Sequence, residues 1–124
     1  MDKKKSLEHL QHAIQSKTIS YSDRSRIDFK EYEQFIKNLK KDYPFIHKHA
    51  HLERVEGYSL LYRIKGTDAS LKPIAMMGHY DVVPVREEKW TTNPFGAELK
   101  EGYVYGRGTL DMKGHVIALF EAVE

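Results

Sequence analysis

The chain has 124 residues, 40% of them hydrophobic and 31% charged, with a formal net charge of +2 and no cysteine. That composition suits one small folded domain and excludes disorder, disulfides and thiolate metal sites. Both signs of charge are interspersed, and the dense basic run Lys3-Lys4-Lys5 reads as a solvated helix end, not as the concentrated stripe of a nucleic-acid binder.

The opening MDKKKSLEHL is basic but lacks the apolar stretch of a secretion signal. Apolar runs are too short to cross a bilayer, so a cytoplasmic protein with no membrane and no nucleic-acid partner is the expectation. Leu7, Leu10 and Ile14 recur at helical spacing and predict a short helix over 5–15. A polar turn follows from Thr18 to Arg26. Phe29, Tyr32, Ile36, Leu39 and Tyr43 mark a second amphipathic helix, with Asp28 as N-cap, Glu31 three residues later and Pro44 as the stop. His47, His49 and His51 alternate in HKHAH. They would share one face of an extended segment, where a metal could lodge adventitiously, although exposed polar alternation needs no special cause.

The pattern then changes to period two. Tyr58, Leu60, Tyr62 and Ile64 alternate with more polar neighbours, which predicts a strand with one drier face. The stretch from Leu52 to Glu56 would pair with it through Glu56-Gly57. Gly66-Thr67-Asp68 is a turn. Residues 73–78, apolar on both faces, read as a strand inside a sheet. An irregular connection over 82–101 carries Pro84, Trp90, Pro94 and Gly96, and Glu101-Gly102 turns into a short strand, Tyr103 to Tyr105. Trp90 and Phe95 would pack beneath this connection. Arg107 offers a planar fork for a salt bridge or a substrate carboxylate. Met112, Val116, Leu119, Phe120 and Val123 form a last helical stripe, on which His115, Glu121 and Glu124 read as surface residues. No Gly, Asn or Pro closes that helix, so a truncated chain is the expectation.

Two pieces could do chemistry. In MGHYDVVPV, residues 77–85, His79 and Asp81 stand two apart and share a face of an extended segment. At the C-terminal end of a strand, where open sheets bind ligands, an imidazole can ligate a metal while a carboxylate orients the ring. A structural histidine bonded to its neighbour is the plainer alternative. In YGRGTLDMKG, residues 105–114, Gly106 and Gly108 permit tight backbone and Asp111 stands just before the last helix. Asp111 is either an ordinary N-cap or a carboxylate bridging two metal ions. Gly114 inside the helix costs about 1 kcal/mol relative to alanine, which a close approach of backbone or substrate would explain. Two adjacent loops of one sheet could bring His79, Asp81 and Asp111 together around a paired divalent site.

These motifs resemble the M20 family of metallopeptidases, which includes carboxypeptidases, aminoacylases and related deacylases. The matching segments are GHYDVVPV (78–85), Trp90, NPFG (93–96) and GYVYGRGTLDMKG (102–114), with KTIS (17–20) and YSLLYRIKG (58–66) upstream. The order is right over most of the chain, and the upstream matches resemble the carboxypeptidase-S-like branch most. The resemblance implies a three-layer α/β/α zinc-peptidase-like catalytic domain, of which 1–124 would be the N-terminal part. It implies that His79 binds one metal, that Asp111 bridges both and that Asp81 orients the His79 ring as an active-site residue. Two zinc ions, or cobalt or manganese, would activate a water for attack on an amide carbonyl of a peptide or N-acyl amino acid. The resemblance also implies a strained, cis peptide at Asp111–Met112 and a dimerisation domain inserted later, hence a homodimer at full length. The family's general-base glutamate and its neighbouring ligand glutamate follow the helix that begins at Asp111. Glu121 and Glu124 stand too close to Asp111 to replace them, so these residues alone should be nearly inactive and bind metal weakly. The competing reading is a non-catalytic binding module on the same scaffold.

Overall fold

A computed structural model describes residues 2–124 of the chain. Helix α1 runs over Lys3–Gln15, opened by the Asp2 carboxylate, which accepts from the Lys4 and Lys5 amides. A short 3-10 turn, Arg24–Arg26, lies in the polar stretch that follows. Helix α2 spans Phe29–Asp42 and begins as its sequence predicts, with Asp28 accepting from the Lys30 amide at 3.1 Å. Glu31 does not complete a capping box, because its carboxylate accepts from the Lys17 amide at 2.7 Å. Pro44 both ends α2 and starts helix α3, Pro44–His49. Proline lacks the N–H that a helix interior needs but fits a first helical position. Replacing Asp28 by alanine is expected to lower stability by about 1 kcal/mol, the usual cost of losing an N-cap acceptor; urea unfolding measures it.

Strands β1, His51–Val55, and β2, Ser59–Arg63, form an antiparallel hairpin with Leu52 opposite Tyr62. Its loop is Glu56-Gly57-Tyr58, with Glu56 and Gly57 at positive φ. Strands β3, Glu98–Lys100, and β4, Tyr103–Tyr105, form a second hairpin across Glu101-Gly102. Sequence alone hides β3, because its three residues sit inside an otherwise irregular connection and are exposed on both faces. Helix α4, Gly114–Val123, completes the fold.

The core lies among the helices: Ala13 from α1, Phe35 and Leu39 from α2, Tyr43, Ile46 from α3, and Val116 and Ile117 from α4. Leu60 and Tyr62, the drier face of β2, pack against it. The ring of Phe35 stacks on that of Tyr80 at 4.4 Å between centroids, which holds the segment leading out of the 73–78 stretch against α2.

Three expectations need correction. Residues 73–78 are not a buried strand. The segment forms no strand, and Ile74, Met76 and Met77 are exposed. A strand exists through its ladder partners, and among the described residues a single parallel bridge, Ile19 to Val82, is all that forms beside it. HKHAH is not an extended segment either. His47 and His49 lie in α3 and His51 opens β1, and the ring of His47 is engaged by the Tyr43 carbonyl and the Tyr62 hydroxyl. Glu121 and Glu124 are not merely surface residues of α4. Glu121 takes hydrogen bonds from Ser6 Oγ at 2.5 Å, His9 Nδ1 at 2.6 Å and Tyr43 Oη at 2.9 Å. Glu124 accepts from the amides of Phe45 and Ile46 at the start of α3. Helical periodicity separates apolar from polar faces, but it cannot see that a polar face meets other polar side chains across an interface.

The chain is thus a mixed helix-and-strand unit consistent with part of an α/β domain. Among the described residues, no helix is long and apolar enough to cross a membrane.

Candidate metal site at the end of an unpaired segment

The backbone carrying His79 and Asp81 is fixed by the exit of α1. Thr18 Oγ1 donates to the Tyr80 carbonyl at 2.5 Å. The Val82 amide donates to the Thr18 carbonyl and the Ser20 amide to the Val82 carbonyl, each at 2.9 Å. This short parallel register stops the chain from turning between 80 and 82 and leaves His79 and Asp81 at its mouth.

Asp111 arrives from the opposite direction. After β4 the chain enters a wide helical turn, Thr109–Lys113, broken by non-helical backbone at Asp111 and Met112. The Asp111–Met112 peptide is cis. The turn opens at Gly108, whose φ of 88° is one that only glycine adopts without strain. It closes at Gly114, where a Cβ would run into the Thr109 carbonyl oxygen. That close approach of backbone explains a glycine at the start of a helix, the position where the sequence asked for one.

Two carboxylates and one imidazole come together here. His79 Nε2 lies 3.0 Å from Asp111 Oδ1. His79 Nδ1 lies 3.1 Å from the Asp81 carbonyl and 3.2 Å from its carboxylate Oδ1. Both ring nitrogens therefore face acceptors, an arrangement that favours the doubly protonated imidazolium. Burial works against that charge, but the bond to the Asp81 carbonyl and the ion pairing with Asp111 outweigh it and raise the ring above its ordinary value. The Asp111 side chain is 89% exposed and does not cap α4, which has no side-chain cap. The N-cap reading of Asp111 is therefore excluded by its geometry.

The donor set fits a divalent ion in kind and not in number. An imidazole nitrogen and a carboxylate oxygen are ordinary zinc ligands, but a catalytic zinc site uses three protein ligands. Among the described residues no group of three or more His, Asp, Glu or Cys side chains converges so as to hold a metal ion. Asp81 stands behind the imidazole, on its Nδ1 side, where a supporting carboxylate belongs.

The other residues singled out by sequence do not ligate at this pair, although the His115 ring lies near Gly78. His115 is exposed on α4. Phe95 is buried, as expected of a residue under a loop. Arg107 makes no ion pair among the described residues; its guanidinium lies 5.3 Å from the centroid of the Trp90 ring. Sequence reasoning missed Lys113, two residues from Asp111 and fully buried. A lysine two residues from a candidate ligand looks like surface decoration until the fold covers it.

Residues 75–124 match the peptidase family M20/M25/M40. Over 120 residues the chain is 43% identical to a probable carboxypeptidase S-like 2 of Dictyostelium discoideum, covering 94% of this chain and 23% of that protein. It is 40% identical over 119 residues to an N-fatty-acyl-amino acid synthase/hydrolase of Homo sapiens, covering 94% of this chain and 24% of that protein. It is 41% identical over 101 residues to a carboxypeptidase S of Saccharomyces cerevisiae, covering 77% of this chain and 18% of that protein. The chain therefore spans about a quarter, or less, of the length of these relatives.

Proposed function

We propose, since the chain belongs to peptidase family M20/M25/M40, that it forms part of the active centre of a metal-dependent hydrolase of amide bonds. The substrate class is peptides or N-acyl amino acids, the chemistry named in the relatives. The observation that carries the reading is the approach of His79 Nε2 to Asp111 Oδ1 at 3.0 Å, from two segments 32 residues apart.

His79 and Asp111 are the residues that would hold the metal, with Asp111 the bridging carboxylate if two ions are bound. Asp81 engages His79 Nδ1 through its carbonyl and carboxylate and would leave Nε2 as the ring's ligating nitrogen. Zinc suits this imidazole-carboxylate set, and cobalt or manganese accepts the same donors. A bound ion supplies a Lewis acid for the carbonyl and an acidified water. The residues' own part begins with a proton: Nε2 must lose its hydrogen before it can ligate, so affinity should rise with pH through the histidine range. A complete site would need further donors and a general base beyond the His79–Asp111 pair, because no third ligating side chain converges on it among the described residues. The domain would then be the three-layer α/β/α arrangement.

The test is metal content. On the full-length enzyme, His79→Ala is expected to weaken metal binding by about tenfold or more, since even loss of a supporting group costs 10–100-fold. Elemental analysis after dialysis against zinc would show it, and unchanged stoichiometry would contradict the ligand role. The rival reading, a binding module without turnover, draws on the shortage of donors within this chain. Hydrolysis of an N-acyl amino acid or a dipeptide by the full-length protein dismisses it.

A further inference from the structure

The buried polar side chains among the described residues are Ser16, Thr18 and Lys113, exposed by 2%, 0% and 0%. All three meet at one place, the exit of α1. Lys113 Nζ donates to the Ala13 carbonyl at 2.8 Å and to the Ser16 carbonyl at 2.6 Å. These carbonyls belong to the last turn of α1 and to the residue that caps it, acceptors that the end of a helix leaves without intrahelical partners. Its ammonium also lies 5.6 Å from the centroid of the Phe35 ring. Its stem runs beside Gly108, where a Cβ would lie 3.4 Å from Lys113 Cδ. Its own amide donates to the Gly108 carbonyl at 2.7 Å. Lys113 thus closes the turn that carries Asp111 and pins it to α1.

The next residues of the same segment hold the other donor. Thr18 bonds the Tyr80 carbonyl through its hydroxyl and the Val82 amide through its carbonyl. The chain from Ala13 to Ser20 is therefore a common brace, with the Asp111 turn hung from its first half and the His79–Asp81 segment from its second.

We infer that Lys113 is a positioning residue that sets the spacing of His79 and Asp111 by docking the Asp111 turn onto the carbonyls of Ala13 and Ser16. It touches neither partner of the pair, and its effect travels through backbone that it fixes at both ends. A lysine suits the task because a long apolar stem can cross the packed interior and still end in several donors. Methionine fills a similar volume and cannot donate. The inference rests on the proposed metal site for its purpose, but the brace itself can be tested without metal.

The experiment is a double-mutant comparison on the whole chain, read by the ring signals of His79 in nuclear magnetic resonance spectra. A pH of about 5 keeps the ring protonated in every variant. In the Lys113 protein, Asp111→Asn is expected to shift the His79 ring nitrogen and Hε1 signals. In Lys113→Met, with circular dichroism showing a retained fold, the same Asp111→Asn change is expected to leave them unmoved. An undiminished shift in folded Lys113→Met overturns the inference, as does no shift in the Lys113 protein, since there would then be no pair to position. Should Lys113→Met fail to fold, Thr18→Val loosens the other half of the brace. It is expected to weaken the same coupling, and full coupling there overturns the inference. Zinc alone, titrated in a separate arm with the ring neutral, separates the two readings. Coupling that depends on Lys113 with no zinc response counts against the hydrolase reading alone. Zinc affinity equal in the Lys113 protein and in Lys113→Met counts against the positioning role alone.

Discussion

On the proposed metal-site reading, Asp111→Ala should reduce amide hydrolysis by the full-length protein by on the order of 10³-fold or more, since a metal ligand supports several kcal/mol of transition-state charge stabilisation. The same change should leave the stability of the chain within about 0.5 kcal/mol, the usual range for surface substitutions that break no special feature. The contrast follows from the geometry. The side chain of Asp111 is 89% exposed, caps no helix and packs against nothing in the core; its neighbour is the imidazole of His79. A structural aspartate would give the opposite pattern, a loss of stability with activity following it down. Parallel measurement of kcat/KM and of the denaturant midpoint therefore decides the matter, and turnover near wild type would remove Asp111 from the site. Asp111→Asn is the finer probe. It keeps the shape and one acceptor but removes the charge that pairs with the ring and would bind the ion.

The second large effect is a rise in stability with pH, centred on Lys113. Burial pushes its amine down to about 7, with Glu31 and Asp81 pulling weakly the other way, whereas an unfolded lysine titrates near 10.4. Between those values the unfolded chain binds more protons than the folded one, so stability increases with pH. At and below the folded value the penalty for charging the buried amine is fully present, and toward the unfolded value it fades. The neutral amine has two hydrogens and can still serve both carbonyls of α1. From pH 7 to pH 9.5 the gain should be about 3 kcal/mol, at roughly 1.36 kcal/mol per pH unit.

Buried tyrosines limit the rise from above. Tyr32 and Tyr62 are pushed up to about 12, and Tyr43 and Tyr80 higher still, all chiefly by burial. Their unfolded counterparts ionise near 10. Above that value the unfolded state releases protons that the folded state keeps, and stability falls again. A maximum between about pH 9 and 10 is the expected shape. Urea midpoints measured at steps of pH give the curve, and Lys113→Met should flatten its rising limb. A rising limb of the same height in Lys113→Met would show that another group causes it. Leaving the Ala13 carbonyl without a donor should also cost that variant stability, about 1–3 kcal/mol for a buried acceptor, while the Ser16 carbonyl keeps the Thr18 amide at 2.9 Å.

Much of this molecule is written locally. The helix from Phe29 is fixed by an apolar residue every three or four positions and by Asp28 in front of it, and the folded chain has that helix with that cap. The hairpin through Glu56-Gly57 follows from period-two alternation on either side of a turn, and Leu52 faces Tyr62 across it. The pair of motifs around His79 and Asp111 was equally legible, because side chains two apart share a face and glycines mark the tight turn.

What sequence could not supply was the environment of each side chain. Residues 73–78 carry a strand's composition, but a strand is made by its neighbours, and composition cannot tell whether they are present. Glu121 and Glu124 have the periodicity of solvent-facing residues, yet one receives Ser6, His9 and Tyr43 and the other the amides of α3. Lys113 looks like one more soluble charge until α1 ends above it. Local sequence determined where helices begin and where the chain turns, because those depend on torsion angles and spacing within a few residues. Only the tertiary structure decided that His79 meets Asp111 and that a buried lysine hangs from the carbonyls of α1, because burial and ion pairing depend on what a distant part of the chain brings alongside.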